Sequence, residues 1–263
     1  DYYITAYELG SRSRLARIGW IYKSGDALLR DEDLSFQYLQ LAAEDKDPSG
    51  IRSLGYCYAY GVGTEPNRDK AEALWLDCGG DVSLIPWEQL GMLMLSERFG
   101  VELDFEKARE YFERGTAVEY SERTECLRRL GYLHRDADSP LLDYTKAYAY
   151  FQQAADLNDF YAHSHLGNAY VHGDHIAKDL EKAYQHLKIA FDQGDTNAIN
   201  NLGYLYGEGL HVTRDFEKAA EFYRRGLEAE LPFSIHALAL LHLNKHIEPR
   251  EGESPRSLLL KSA

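Results

Sequence analysis

Cysteine is scarce and unpaired in this sequence. Cys57, Cys78 and Cys126 are the 3 present among 263 residues, and no C-x-x-C string occurs. An odd count without that spacing excludes a disulfide framework and a zinc module. No apolar run approaches the roughly 18–20 residues that a membrane-spanning helix needs. Basic charge is in deficit, with 29 Lys and Arg against 43 Asp and Glu, a net charge of −14. That field repels phosphate backbones and anionic lipids, and no local basic stripe offsets it, so nucleic acid is not expected as a partner; acidity this strong more often serves solubility than function, though it could steer a basic partner. Proline is rare, at 7 residues, which suits a helical chain better than a turn-rich sheet. H-E-x-x-H, G-x-S-x-G and Walker-type strings are missing, so no catalytic template is met and no cofactor is expected. No N-x-S/T sequon occurs, which with the odd cysteine count points away from the eukaryotic secretory pathway and toward a soluble protein of the bacterial cytoplasm or periplasm. The chain begins with Asp1 and reads as a processed or excised segment.

What is abundant is repetition. The string "SLGYCYAYGVG" at 53–63 returns as "NLGYLYGEGL" at 201–210. Aligned on the glycine of "LG", the copies fall at Gly19, Gly55, Gly91, Gly131, Gly167 and Gly203, in steps of 36, 36, 40, 36 and 36 residues; one more step of 36 reaches Ala239. The preceding residue is always apolar: Ile18, Leu54, Leu90, Leu130, Leu166, Leu202 and Leu238. Three residues after the anchor stand Tyr22, Tyr58, Met94, His134, Tyr170, Tyr206 and His242. A second column, "KA", follows at Lys70, Lys107, Lys146, Lys182 and Lys218, with Leu34-Ser35 as its first, degenerate member. Three residues before it come Asp31, Asn67, Asp104, Asp143, Asp179 and Asp215, side chains that cap helix N-termini.

Each unit therefore reads as two helices. Helix A carries "LG-x-x-Y", a Gly-containing turn ends it, and a capped helix B carries "KA". Gly61, Gly63, Gly207 and Gly209 are expected to close helix A. A phosphate-cradling loop follows a strand and opens a helix, so these glycines are joints and not a nucleotide site.

These columns resemble the Sel-1-like repeat family, relatives of the tetratricopeptide repeats, on "LG-x-x-Y" at 54–58, 166–170 and 202–206, "GVG" at 61–63, and "D-x-x-K-A" at 179–183 and 215–219. The resemblance covers nearly the whole chain. It implies an all-α, right-handed α/α solenoid of about six to seven helix-pair repeats of 36–40 residues that binds proteins without catalysis. The regular cysteines of the family's disulfide-rich branch are missing. One solenoid over 1–263 is expected, with a lone helix B at 1–12, repeats at about 13–48, 49–84, 85–124, 125–160, 161–196 and 197–232, and a partial repeat at 233–263. Met94, His134 and the "DADSPLLD" turn at 136–143 depart from the pattern, where a local change of curvature is expected. Neither end carries a clear polar capping face, which again suggests a segment of something longer.

Two clusters carry possible chemistry. His163, His165, His172 and His175 crowd together, but on a helix His163 and His165 point about 200° apart, so they do not share one metal. Cys57 and Cys126 on helix A, and Cys78 at an alanine-like position of helix B, read as small buried apolar residues. The position just after each anchor is the more informative: Trp20, Tyr56, Met92, Tyr132, Asn168, Tyr204 and Leu240. In the related tetratricopeptide architecture it faces the concave surface. Three residues before each anchor stand Ala16, Arg52, Glu88, Arg128, Ser164, Asn200 and His236. Large rigid anchors flanked by directional polar groups suit a groove that binds a protein or peptide, with Trp20, Arg52, Tyr56, Met92, Arg128, Tyr132, Asn168, Asn200, Tyr204 and His236 as its residues. Packing between repeats is the alternative role for the aromatic members. An adaptor or regulator is the leading reading. Its rivals are an inhibitor or immunity protein that occludes a toxin, and a metal-binding or enzymatic protein built on His163–His175.

Overall fold

A computed structural model describes residues 14–25, 30–78, 82–118, 121–250 and 253–261. The helix expected over 1–12 lies outside the described residues. Within them the chain forms 14 α-helices and no strand. Helix A of successive repeats is α1 (Leu15–Ser24), α3 (Pro48–Tyr60), α5 (Trp87–Met94), α7 (Ser121–Arg135), α9 (Phe160–His172), α11 (Asn197–Glu208) and α13 (Pro232–Leu243). Helix B is α2 (Glu32–Glu44), α4 (Arg68–Asp77), α6 (Phe105–Gly115), α8 (Tyr144–Asp156), α10 (Leu180–Asp192), α12 (Phe216–Glu228) and α14 (Pro255–Lys261). The fold is a solenoid of helix-pair repeats. The chain divides into two compact units, one of residues 1–133 with 138–141, the other of 134–137 with 142–263.

The two sequence columns prove to be one joint. Each capping side chain, from Asp31 to Asp215, accepts a hydrogen bond from the backbone N–H three residues on, at 2.9–3.1 Å. Such a cap is worth about 1 kcal/mol. The same residue's own N–H donates back to the carbonyl of the residue three after the anchor: Asp31 to Tyr22, Asn67 to Tyr58, Asp104 to Met94, Asp143 to His134, Asp179 to Tyr170 and Asp215 to Tyr206. Met94 and His134 keep this bond because it is made by backbone. Where the residue is Tyr, the "KA" lysine sits over its ring: Lys70 on Tyr58 at 4.9 Å, Lys182 on Tyr170 at 5.4 Å and Lys218 on Tyr206 at 4.8 Å. Over Met94 no ring is available, and Lys107 turns to Glu72 at 2.6 Å.

The apolar column before each anchor is buried throughout, and Ala71, Ala108, Ala147, Ala183, Ala219 and Ser35 expose nothing. Ser35 satisfies its hydroxyl by donating to the Gly19 carbonyl at 2.8 Å. The anchor glycines receive a large side chain of their own repeat's helix B: a Cβ on Gly91 would lie 2.2 Å from the Phe112 ring, and one on Gly203 would lie 2.4 Å from Tyr223.

Two expectations are corrected. Gly61 and Gly209 do end helix A in the left-handed conformation, at φ 74° and 68°, but Gly207 lies inside the last turn of α11. Cys78 is not within helix B; it follows α4 as its left-handed C-cap, buried, with its thiol against the Trp75 carbonyl.

A further register was hidden in the sequence. Nine residues before the anchor, between helix B and the next helix A, the backbone turns left-handed at Lys46, Asn158, Gly194 and Glu230. Only one of these is glycine, because the conformation leaves no consensus when other residues tolerate its cost of about 1–2 kcal/mol. Glu230 is exposed at φ 55° and also sets a carboxylate at the negative end of α12. Glu230→Gly is expected to raise stability by about 0.5–1 kcal/mol, seen as a higher urea midpoint with an unchanged slope.

Candidate functional site

A helix turns about 100° per residue, so burying the anchor and the residue before it places the following residue at the edge of the packed face. Trp20, Met92, Tyr204 and Leu240 are accordingly 50%, 37%, 36% and 43% exposed. Asn168 is exposed too, whereas Tyr56 and Tyr132 are half-buried. Of the flanking column, Arg52 and His236 are exposed, Ala16, Arg128 and Asn200 are half-buried, and Glu88 and Ser164 are buried.

In the first unit this face is aromatic and charged. The Arg17 guanidinium lies 4.8 Å over the Trp20 ring. Tyr56 stacks on Tyr60 at 5.8 Å and meets Trp75 edge-on at 5.1 Å, while Lys23 approaches its other side. Burial raises the Tyr56 phenol above its ordinary value against the pull of Arg52. Trp75 donates its indole N–H to the Arg52 carbonyl at 2.9 Å, which fixes α4 beneath α3. Met92 borders a cavity of about 360 Å³ with Tyr60, Trp75 and Arg98. Glu88 is raised by burial and held by Arg129 at 2.7 Å; Arg128 pairs with Glu125. Tyr56 and Arg128 are thus partly committed to packing, while Trp20, Arg52 and Met92 remain presented.

In the second unit the face is lined by amides. Asn168, Asn200 and Tyr204 border one cavity of about 510 Å³, together with Asn197, Asn201, His172 and Phe233. His236 lies outside its lining. Reasoning by columns missed Asn197, Asn201 and Phe233 because they sit off the two registers followed; the signal was the Asn run in "TNAINNLGYLY".

The four histidines of 163–175 go to different surroundings. His163 is buried and meets His186 of α10 with Nδ1 to Nδ1 at 2.8 Å. His165 stacks on Phe151 and meets Arg135, His172 is exposed, and His175 stacks on Tyr144. Among the described residues no three His, Cys, Asp or Glu side chains are grouped to hold a metal. All three cysteines are buried thiols outside any disulfide; burial raises the Cys57 thiol to about 11. Among the same residues no helix is long and apolar enough to cross a membrane.

At 2.8 Å the two imidazoles share one hydrogen bond only if at least one Nδ1 is unprotonated. Burial lowers both, and the charge on His163 adds to the effect at His186, which falls from 6.5 to about 4; Asp156 and Asp159 pull weakly the other way. A lowered histidine leaves the folded state with fewer bound protons than the unfolded chain. Its contribution is complete above pH 6.5 and is lost as pH falls toward about 4. Stability is therefore expected to fall between pH 7 and 5.5, by at most about 1.4 kcal/mol per histidine per pH unit. His186→Gln should flatten that slope; equal slopes for both proteins would refute the assignment.

The family model of the Sel1 repeat matches residues 13–47, 48–76, 89–117, 124–159, 161–195 and 196–230. An uncharacterized protein of Neisseria meningitidis serogroup B, NMB1327, is 25% identical over 165 residues, which are 60% of this chain and 32% of that protein. The crystal structure of c5321, a protective antigen present in uropathogenic Escherichia coli strains displaying an SLR fold, superposes with a TM-score of 0.73 at 21% identity, covering 100% of this chain and 56% of that one. A Sel1 repeat protein from Oxalobacter formigenes superposes at 0.63 with 24% identity, covering 84% of this chain and 89% of that one. The chain spans about a third of the Neisseria protein's length and just over half of the antigen's.

Proposed function

We propose, starting from the fact that this chain belongs to the Sel1 repeat family, that it is an adaptor or regulator with no catalytic step of its own, holding a protein or peptide on the exposed face of its A helices. Sel1 repeat proteins generally mediate protein–protein interaction. The observation that carries the finer reading is the recurrence of large apolar side chains left in water at one register: Trp20 and Met92 in the first unit, Tyr204 and Leu240 in the second. Helix geometry puts this register at the edge of the packed face, and large apolar side chains repeated there beside Arg52 or Asn200 are what recognition uses. The relatives named above are bacterial, and the setting we assign is the bacterial cytoplasm or periplasm.

The test is capture from a lysate of the native organism, followed by affinity measurement with the purified partner. Trp20→Ala/Met92→Ala and Tyr204→Ala/Leu240→Ala are the variants to compare, because exposed side chains are removed without opening the core. Loss of at least about 30-fold in affinity in one or both is expected for hot-spot residues. A partner retained with unchanged affinity by both variants would move the site off this face.

A further inference from the structure

We propose that the amide-lined cavity of the second unit binds an extended, uncharged stretch of polypeptide through its backbone, with one apolar side chain of that stretch resting against Tyr204 and Phe233. The inference rests on the protein-binding reading above and specifies the ligand at one of its faces.

Helix α11 sets Asn197, Asn200, Asn201 and Tyr204 on one side by their spacing of three and four residues, and α9 adds Asn168 from across the cavity. Two of these carboxamides are oriented by the protein. Asn197 donates its Nδ2 to the buried Asp195 at 3.0 Å, which leaves its carbonyl oxygen as an acceptor. Asn200 accepts from the Ser234 hydroxyl through Oδ1, which leaves its NH₂ group as a donor. The side chains of Asn168 and Asn201 are hydrogen-bonded to no other described residue, so each offers a full donor and acceptor set. A carboxamide is the side-chain counterpart of a peptide unit and pairs with a backbone N–H and C=O together.

The composition of α11 argues that this is selected. The first N–H of α11 is capped by the buried Asp195 carboxylate at 3.2 Å, but Asn is a poor helix former, and Asn200 and Asn201 inside the helix weaken it. Departures of this kind gather at functional sites. No Asp, Glu, Lys or Arg lines the cavity, although the chain carries 72 such residues, the sum of 29 and 43. A charged side chain entering it would lose hydration without a counter-charge, so the segment is neutral there. Phe233, 54% exposed, and Tyr204 supply the apolar contact. The cavity volume of about 510 Å³ lies within the ordinary range of ligand sites.

The test uses the whole chain, immobilised and panned against phage displaying random linear peptides, with the selected peptide resynthesised and its affinity read by fluorescence anisotropy. Selected sequences are expected to share an apolar residue within an uncharged core. Asn168→Ala/Asn201→Ala should weaken binding about tenfold or more, the loss of a directional hydrogen-bond pair. The same variant should melt no lower than the wild type, because alanine is the better helix former. N-methylation of single backbone amides in the peptide should reproduce the loss at the one or two positions that pair with asparagine. Peptides that are mainly charged, or that bind the double variant equally well and tolerate N-methylation, would overturn the inference and leave the protein-binding reading intact. Asn168-dependent binding of neutral oligosaccharides on a glycan array, with no peptide selected, would overturn both at this face. No peptide selected, together with a partner held through Trp20 or Met92, would remove this inference alone.

Discussion

Gly203→Ala is expected to destabilise the second unit by about 1–3 kcal/mol, the range for forcing an extra methyl into a packed core. Gly207→Ala, one turn later in the same helix, is expected to stabilise it by up to about 1 kcal/mol, the helix-propensity gain of alanine. The methyl at 203 would meet three atoms of the Tyr223 ring at 2.4, 2.8 and 2.9 Å, whereas the methyl at 207 would meet only Ala219 at 3.7 Å, an ordinary contact. Tyr223 is buried, with Phe233 edge-on to it at 6.4 Å, so its ring has no free space to swing into. Urea unfolding followed by circular dichroism reads both signs directly. Two shifts in the same direction would mean that close helix approach is not what the anchor glycine provides.

The second large effect is expected at Glu253. Its carboxylate accepts from Arg224 through Nε at 2.9 Å and Nη2 at 3.1 Å, and lies 3.4 Å from Nε2 of the buried His242. The Arg224 and Glu253 side chains are 9% and 11% exposed. Glu253→Ala leaves the buried guanidinium with only the exposed Glu217 at 4.0 Å and is expected to cost about 3 kcal/mol. Arg224→Met/Glu253→Met should recover most of it, since replacing both partners removes the desolvation penalty with the pair. Burial opposes the ionised carboxyl, but Arg224 and the Arg250 backbone N–H outweigh it and hold Glu253 below its ordinary 4.5. A lowered carboxyl stabilises above its unfolded value and stops doing so as pH falls through its folded one. The gap between wild type and Glu253→Ala should therefore narrow below pH 4.5. A gap that stays constant down to acid pH would show that lost packing, and not the ion pair, accounts for the effect.

Much of the fold was legible because it is written at a fixed period. Every cap from Asp31 to Asp215 does what a residue three before "KA" should do, and every apolar residue before an anchor is buried. Pairings across helices were not legible. His163 finds His186 at a separation of 23 residues, and Arg224 finds Glu253 at 29, distances along the chain that no local pattern marks. The left-handed corners at Lys46, Asn158 and Glu230 were missed for a different reason: a backbone conformation tolerated by several side chains leaves no residue signature. At the candidate site, the register was readable but its character was not. Tyr56 lies against Trp75, and the asparagines off the register, Asn197 and Asn201, share a cavity with those on it.

The left-handed corner that precedes four of the seven anchors has a consequence for how such a chain changes length. Asn158 and Gly194 adopt the same turn one period apart, at φ 67° and 93°, each leading into the next helix A. Cutting the chain at one and rejoining it at the other excises a whole cassette and restores like geometry at the seam. The molecule is therefore divisible in quanta. A duplication or loss spliced at these corners adds or removes one capped joint, one buried anchor and one solvent-facing position, and the exposed face is reworded one letter at a time while the grammar that folds it is left alone.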